Sequence, residues 1–560
     1  MPSDHHADLA FVNGAVHTVD ADRPWAEAVA VRGGRISAVG TDAEVRAFVD
    51  RRTEVVDLAG RMLLPGFQDA HVHPPGSGLE MLRCNLSDAF SLEEYERIVG
   101  EYAAGHPGLD WIVGGGWSMS VFPGGNPPKE VLDRLVPDRP VYLQSRDGHS
   151  AWVNSTALRI GGITTDTADP HDGWIVRAHD GAPAGTLHEG AMRLVDRHLP
   201  QDTEEDWITG LRVAQAHLHA LGITAWQDAN VGISSGYPTY GAYLRFAASG
   251  DLTARVVGCL WWDRLRGLEQ IDDLVAARDG GVSGRFAATS VKIMQDGVVE
   301  NFTAAVLEPY LDADGAPTDN RGRSFVDPEE LKLAVTRLDA EGFQVHIHAI
   351  GERAVREGLD AVEAARVANG MNDHRHHIAH VQVIHPDDLP RFRELGVAAN
   401  GQPLWAVNEG QMLHLTIPFL GPERSRWQYP FGSLVRSGAV LALGSDWSVS
   451  SADPIEQIHV AVNRVAPSTY AYGGVSAGVF LPNERLDLAT AIAGFTMNAA
   501  FVNHLDDVTG SIAVDKYADL VVLDRNLFDL DPQDLFRAKV EQTFVEGERV
   551  FDGTGASGAI

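Results

Sequence analysis

Histidine, lysine and aspartate side chains able to hold a cation or move a proton recur in this chain at the ends of apolar runs. His71 and His73 follow Met62-Leu-Leu-Pro-Gly-Phe. Side chains two apart on a strand face the same way, so both imidazoles reach one cation. Gln344-Val-His-Ile-His348 places two more histidines on one face, His377-Ile-Ala-His380 ends another run, and Gly444-Ser-Asp446 ends a further one. A lone His-x-His pair is equally well a solvated strand end. The recurrence on separate strand ends favours a metal site, because a borderline cation such as zinc takes imidazole and carboxylate ligands without needing cysteine.

Lys292 lies within Ser290-Val-Lys-Ile-Met294, on the face opposite Val291 and Ile293. A lysine pointing into a barrel must find an anion or lose its charge. As a neutral amine it adds carbon dioxide, and the carbamate can bridge two cations. As an ordinary lysine it pairs with Asp296. Spacing alone leaves both open.

These residues need a frame that brings strand ends together. β-type apolar runs at 62–71, 223–227, 255–261, 290–294, 344–348, 377–381, 397–401 and 440–444 alternate with helix-like stretches, the pattern of repeated βα units. Eight such strands predict a (β/α)₈ barrel, whose active site sits at the C-terminal strand ends. Short strands with turn punctuation precede and follow this body. The connection from about 74 to 221 is too long for an ordinary loop and carries structure of its own, including Gly114-Gly115-Gly116-Trp117 and a hairpin around Asp180-Gly181. The 560 residues suffice for one large barrel and a smaller domain.

Composition narrows the partners. The 45 basic and 77 acidic side chains leave a net charge of −32, which repels nucleic acid and anionic membrane surfaces. Cys84 and Cys259 have no spaced partners, so no disulfide framework is expected and a reducing compartment fits. The first residues show no signal-peptide pattern, and no apolar stretch approaches the roughly 20 residues of a membrane span. Cytoplasm is the expected location.

The ordered motifs resemble the amidohydrolase superfamily, in the subgroup that includes N-substituted formamide deformylases. They are Leu64-Pro-Gly-Phe-Gln-Asp-Ala-His-Val-His73, Val291-Lys-Ile-Met-Gln-Asp-Gly297, His346-Ile-His-Ala-Ile-Gly351, Ile378-Ala-His380 and Leu443-Gly-Ser-Asp-Trp447, with Asp147-Gly-His-Ser-Ala-Trp-Val-Asn154 and Ala518-Asp-Leu-Val-Val-Leu523. The resemblance covers nearly the whole chain. It implies an α/β fold: a distorted (β/α)₈ TIM barrel at 66–504, with a small β-sandwich formed by the N- and C-terminal segments, 1–65 and 505–560. It also implies two divalent ions, zinc first among them. His71, His73 and Asp446 would hold one, His348 and His380 the other, and carboxylated Lys292 would bridge them; His346 becomes a neighbour. Homodimers are usual in the family. This chain departs at Ser118, where relatives often have an acidic residue, and at Glu352, where many have Asp.

The expected reaction is cleavage of a C–N bond, in an amide, N-substituted formamide or related small molecule, by a metal-activated hydroxide. Asp446 is the expected proton shuttle. His149 is the expected oxyanion donor, or else merely caps the Gly148 turn. Trp117 is the expected pocket wall, or else packs the insertion's core. Gln382 and Arg426 are weaker substrate contacts: Arg426 reads more readily as a surface charge, and Gln382 as a hydrogen-bonding partner behind the site. Deamination, ester or carbamate hydrolysis and decarboxylation fit the same barrel. Glu352, four residues after His348, invites the deaminase alternative. A non-catalytic scaffold is disfavoured by the complete ligand set.

Overall fold

The computed structural model describes residues 6–233, 238–468 and 478–554. Eight parallel strands form the central sheet: β1 (Phe67–Val72), β2 (Ile223–Val231), β3 (Arg255–Trp261), β4 (Phe286–Met294), β5 (Gln344–Ala349), β6 (His377–His380), β7 (Ala398–Gly401) and β8 (Leu441–Leu443). They pair in chain order, each beside its successor. Every residue of β1, β5, β6, β7 and β8 is buried, as a parallel sheet covered by helices requires.

The expected single strand over 62–71 is two. Met62–Pro65 pairs with Leu520–Leu523 in a terminal sheet, and Phe67–Val72 opens the barrel. The break falls at Gly66, whose N–H donates to Asp519 O and where a Cβ would lie 2.4 Å from Thr224 Oγ1. A side chain there would force the two sheets apart.

β8 and β1 share no ladder; polar contacts join them instead. The Asp69 carboxylate accepts from the backbone N–H of His71 and of Ser445, each at 3.0 Å, and from Ser445 Oγ at 2.5 Å. Burial pushes the Asp69 carboxyl up to about 7. One step further, Asp446 N donates to His71 O at 2.8 Å. The seam therefore sets Asp446 beside His71.

Both chain ends build one terminal sheet: Ala15–His17, Trp25–Ala26 and Met62–Pro65 lie with Leu520–Leu523, Val540–Val545 and Glu548–Asp552. A four-stranded sheet from the N-terminal segment packs on it through Phe11, Val29 and Phe544. The long connection after β1 forms a six-stranded sheet with apolar clusters of its own, around Trp117 and Trp152 and around Ile175 and Leu187. No described helix is long and apolar enough to cross a membrane.

The helix Pro74–Met81 starts directly at His73 and packs on Glu204–Ala220. Their backbones meet at two glycines. A Cβ at Gly78 would lie 1.9 Å from Gly210 O, and one at Gly210 would lie 2.4 Å from Pro75 O. Gly78→Ala should therefore cost about 1–3 kcal/mol through overpacking. Thermal unfolding of the metal-free chain measures it, and an unchanged midpoint would mean that the helices part freely.

Candidate metal centre

The strand ends converge on a cavity of about 340 Å³ at the C-terminal mouth of the barrel. His71, His73, Lys292, His348, His380 and Asp446 all line it, as do His149, Trp117 and Gln382. Arg426 does not: it is exposed on the short turn Ser425–Trp427 and is absent from the cavity lining, so it sits as a surface charge rather than a substrate contact. Glu352 is also corrected. It begins the helix Glu352–Asn369 and turns away to accept from Leu307 N, outside the cavity, which removes the glutamate the deaminase alternative needed.

The ligand atoms of His71, His73 and Asp446 lie within 4.8 Å of one another. Asp446 Oδ1 is 2.9 Å from His73 Nε2 and 3.4 Å from His71 Nε2, while Oδ2 is 3.9 Å from His380 Nδ1. His380 packs against His348 with ring centroids 4.4 Å apart, and Trp405 stacks on its other side. Lys292 Nζ reaches His71 Nε2 at 3.3 Å. The alternative Lys292–Asp296 pair does not form. Asp296 instead accepts the backbone N–H groups of Ala305, Ile350 and Gly351.

Charge states suit a cation. Burial, aided by Lys292, holds His71 at about 3, and burial holds His348 and His380 far below the usual imidazole range, so all three are neutral bases at pH 7. Burial would raise Asp446, but His71 and His73 overcome it and keep the carboxylate ionised. Asp446 Oδ1 is buried without a hydrogen-bond partner among the described residues. A buried carboxylate oxygen without a well-formed hydrogen bond is costly unless a cation completes it. The residues fit a divalent metal.

His149 enters from the insertion, between strand Ser150–Val153 and the turn at Gly148, with its ring 5.6 Å from that of His348. Its Nδ1 pairs with Glu189 Oε1 at 2.8 Å. Burial works against the imidazolium, but the Glu189 carboxylate overcomes it and lifts His149 to about 9. Glu189 also accepts from Asn301 Nδ2 and Thr303 Oγ1. Sequence reasoning missed this carboxylate; its position at the end of the predicted hairpin strand, one residue after His188, was the available signal. Trp117 lines the cavity, and its Nε1 donates to Leu143 O while its ring meets Phe122 and Trp152. Gln382 Nε2 donates to Gln428 Oε1.

A parallel barrel that gathers imidazoles, an amine and a carboxylate at one mouth defines a metal-dependent hydrolase. The chain belongs to the Amidohydrolase family, whose model matches residues 54–551. It is 32% identical over 557 residues to Protein LONG AFTER FAR-RED 3 of Arabidopsis thaliana, covering 97% of this chain and 92% of that one. It is 28% identical to N-substituted formamide deformylase of Arthrobacter pascens, covering 98% and 99%. Among solved structures it resembles an uncharacterized metal-dependent hydrolase from Pyrococcus horikoshii OT3, with a TM-score of 0.72 and 23% identity over 94% of this chain and 99% of that one. A second such hydrolase, from Pyrococcus furiosus, gives 0.69 and 25%, with the same coverage.

Proposed function

We propose that this hydrolase cleaves the C–N bond of an amide, N-substituted formamide or related small molecule. The observation that carries the reading is the buried Asp446 carboxylate, whose Oδ1 lies 2.9 Å from His73 Nε2 and 3.4 Å from His71 Nε2 without a well-aligned hydrogen bond. His71, His73 and Asp446 would hold one divalent ion, zinc being the first choice, and His348 and His380 a second. Lys292, as a carbamate, would serve both. A cation in such a site acidifies a water and polarises a carbonyl oxygen.

The protein's own groups supply the proton transfers. Asp446 Oδ1 accepts the proton of the attacking water as the new C–O bond forms. It then returns that proton to the departing nitrogen as the C–N bond breaks, so an amine and a carboxylic acid leave and the carboxylate is regenerated. His149 lines the same cavity as Asp446 and is held as an imidazolium by Glu189, so its Nε2–H can donate to the developing oxyanion. Trp117, Met294 and Trp405 give the cavity apolar walls, which exclude water and suit an organic substituent.

The test is product analysis with the zinc-loaded chain and a panel of N-alkyl and N-aryl formamides, acetamides, esters and aminopurines. Amine and acid should appear in equal amounts from the amides. Ammonia from the aminopurines, or ester cleavage with no amide cleavage, would overturn the reading.

The Glu189–His149 pair sets a pH dependence. His149 is charged below about 9, so turnover should hold through neutrality and fall as pH rises through that value. Without the Glu189 charge, burial lowers His149, and Glu189→Gln should move the alkaline limb down by roughly 1–3 pH units. An unmoved limb in the variant's kcat profile would remove His149 from the reaction.

A further inference from the structure

Three ligand candidates present ring nitrogens whose proton positions follow from groups that can act in only one sense. The longest chain of such groups starts beneath the centre, at Gln344. Its Nε2 lies 3.0 Å from Arg375 O and 2.6 Å from Val502 O. Backbone carbonyls only accept, so the Gln344 amide cannot be turned round. Its Oε1 therefore faces Gln227 Nε2 at 2.8 Å, and Gln227 Oε1 faces His346 Nδ1 at 2.8 Å. An amide oxygen requires a proton on that nitrogen. The Cys259 thiol, 3.5 Å from the same nitrogen, adds a weak contact. His346 is fully buried against the rings of His71 and His377, 4.7 Å and 4.1 Å away, with no carboxylate contact among the described residues, so it carries a single ring proton; its Nε2 lone pair accepts from His71 Nδ1 at 2.9 Å. The proton of His71 is then on Nδ1. Its Nε2 lone pair is left toward Asp446 and Lys292.

A second chain has the same polarity. Asn400 Nδ2 donates to Ala70 O at 2.8 Å, Gln402 Nε2 donates to Asn400 Oδ1 at 3.0 Å, and Gln402 Oε1 faces His380 Nδ1 at 3.0 Å. Again the first acceptor is a carbonyl, and again Nδ1 must be protonated and Nε2 free. His348 is set in the opposite sense, since its Nε2 faces Gly297 O at 3.3 Å and Nδ1 is left open.

We propose that Gln344, Gln227 and His346 on one side, and Asn400 and Gln402 on the other, are positioning residues that lock the tautomers of His71 and His380 with Nε2 as the metal-binding atom. All five are buried in the barrel, where an imidazole in the other tautomer would set N–H against N–H or lone pair against lone pair. Each amide is oriented by its neighbour, so the polarity is fixed before any cation arrives. A metal would then meet ring nitrogens whose lone pairs are already free, and no ring proton has to move on binding. The proposal rests on the metal-centre reading.

The experiment measures zinc affinity of the full-length chain by competition with a chromophoric chelator, in the wild type and in Gln227→Met, Gln402→Met and Gln402→Glu. The two methionines keep the volume and remove the acceptor, and each should weaken zinc roughly 10–100-fold. Gln402→Glu keeps an oxygen on His380 Nδ1–H and should stay within a few-fold of the wild type. If packing alone mattered, the order at 402 would reverse. Methionine variants that bind zinc like the wild type would overturn the proposal. A readout free of substitutions is the two-bond ¹H–¹⁵N spectrum of the metal-free, histidine-labelled wild type. His71 and His380 should both appear as Nδ1–H tautomers, and Nε2–H at either would overturn the proposal even if every variant misfolded. A wild type that took up no zinc would instead defeat the metal-centre reading, with the tautomers still deciding the relays.

Discussion

Asp446→Asn should lower kcat by roughly 10²–10⁴-fold, the range that a positioned acid–base group contributes. Two losses combine in this variant. The amide keeps the shape of the side chain but cannot accept the water's proton at Oδ1, and it brings no negative charge to the pair of imidazoles at 2.9 Å and 3.4 Å. Weaker metal retention alone is correctable, because excess zinc in the assay refills the site. Proton transfer is not. Turnover measured at saturating zinc, with bound metal counted in the same sample, separates the two. A deficit that persists in fully loaded protein assigns the proton to Asp446; a fully loaded variant with near-normal turnover would rule that role out. Position supports the large figure, since the seam contact Asp446 N to His71 O fixes this residue through backbone as well as side chain.

The barrel was legible because its strands are buried on both faces and therefore read as apolar runs between helical stretches. The polar strand-end residues stood out against those runs, and they do meet in one cavity. Parity on strands explains why. His346 and His348 share a face, and the register sets Lys292 beside His346 and Met294 beside His348. What spacing could not do was rank the two histidines by depth. His346 lies one layer below, against His71, and His348 lies at the mouth.

Residues whose role depends on long-range contacts were not legible. Glu189 reaches His149 across 40 residues, and Gln227 reaches His346 across 119. Neither sits in a run that marks it as chemical, because a glutamine on a buried strand and a glutamate after a hairpin look like ordinary polar interruptions. Gln344 was the exception that could have been read. It shares the inward face of His346 and His348 on the same strand, where a polar side chain must find a partner. Arg426 is exposed, the position of a surface charge.

Lys292→Ala should abolish measurable turnover, and a short carboxylic acid such as acetate or propionate should restore part of it. Among the described residues no carboxylate forms an ion pair with Lys292, whose Nζ lies 3.3 Å from His71 Nε2, and the nearby Asp446 charge offsets burial only in part. Burial brings its pKa from 10.5 down to about 8. At pH 7 that leaves roughly a tenth of the amines neutral, against about one in three thousand at the ordinary value, and the neutral amine is the form that adds carbon dioxide. The addition joins nitrogen to carbon, releases one proton and leaves two oxygens with a negative charge, which reverses the sign of the group at the centre. An alanine removes both oxygens and opens a space that a small free carboxylate can enter. Propionamide, of similar size and uncharged, should not rescue. The same chemistry predicts a ¹³C carbamate resonance from the zinc-loaded wild type equilibrated with labelled bicarbonate, absent in the variant. Equal rescue by acid and amide would reduce the effect to cavity filling, and full activity in the unsupplemented variant would remove Lys292 from the centre altogether.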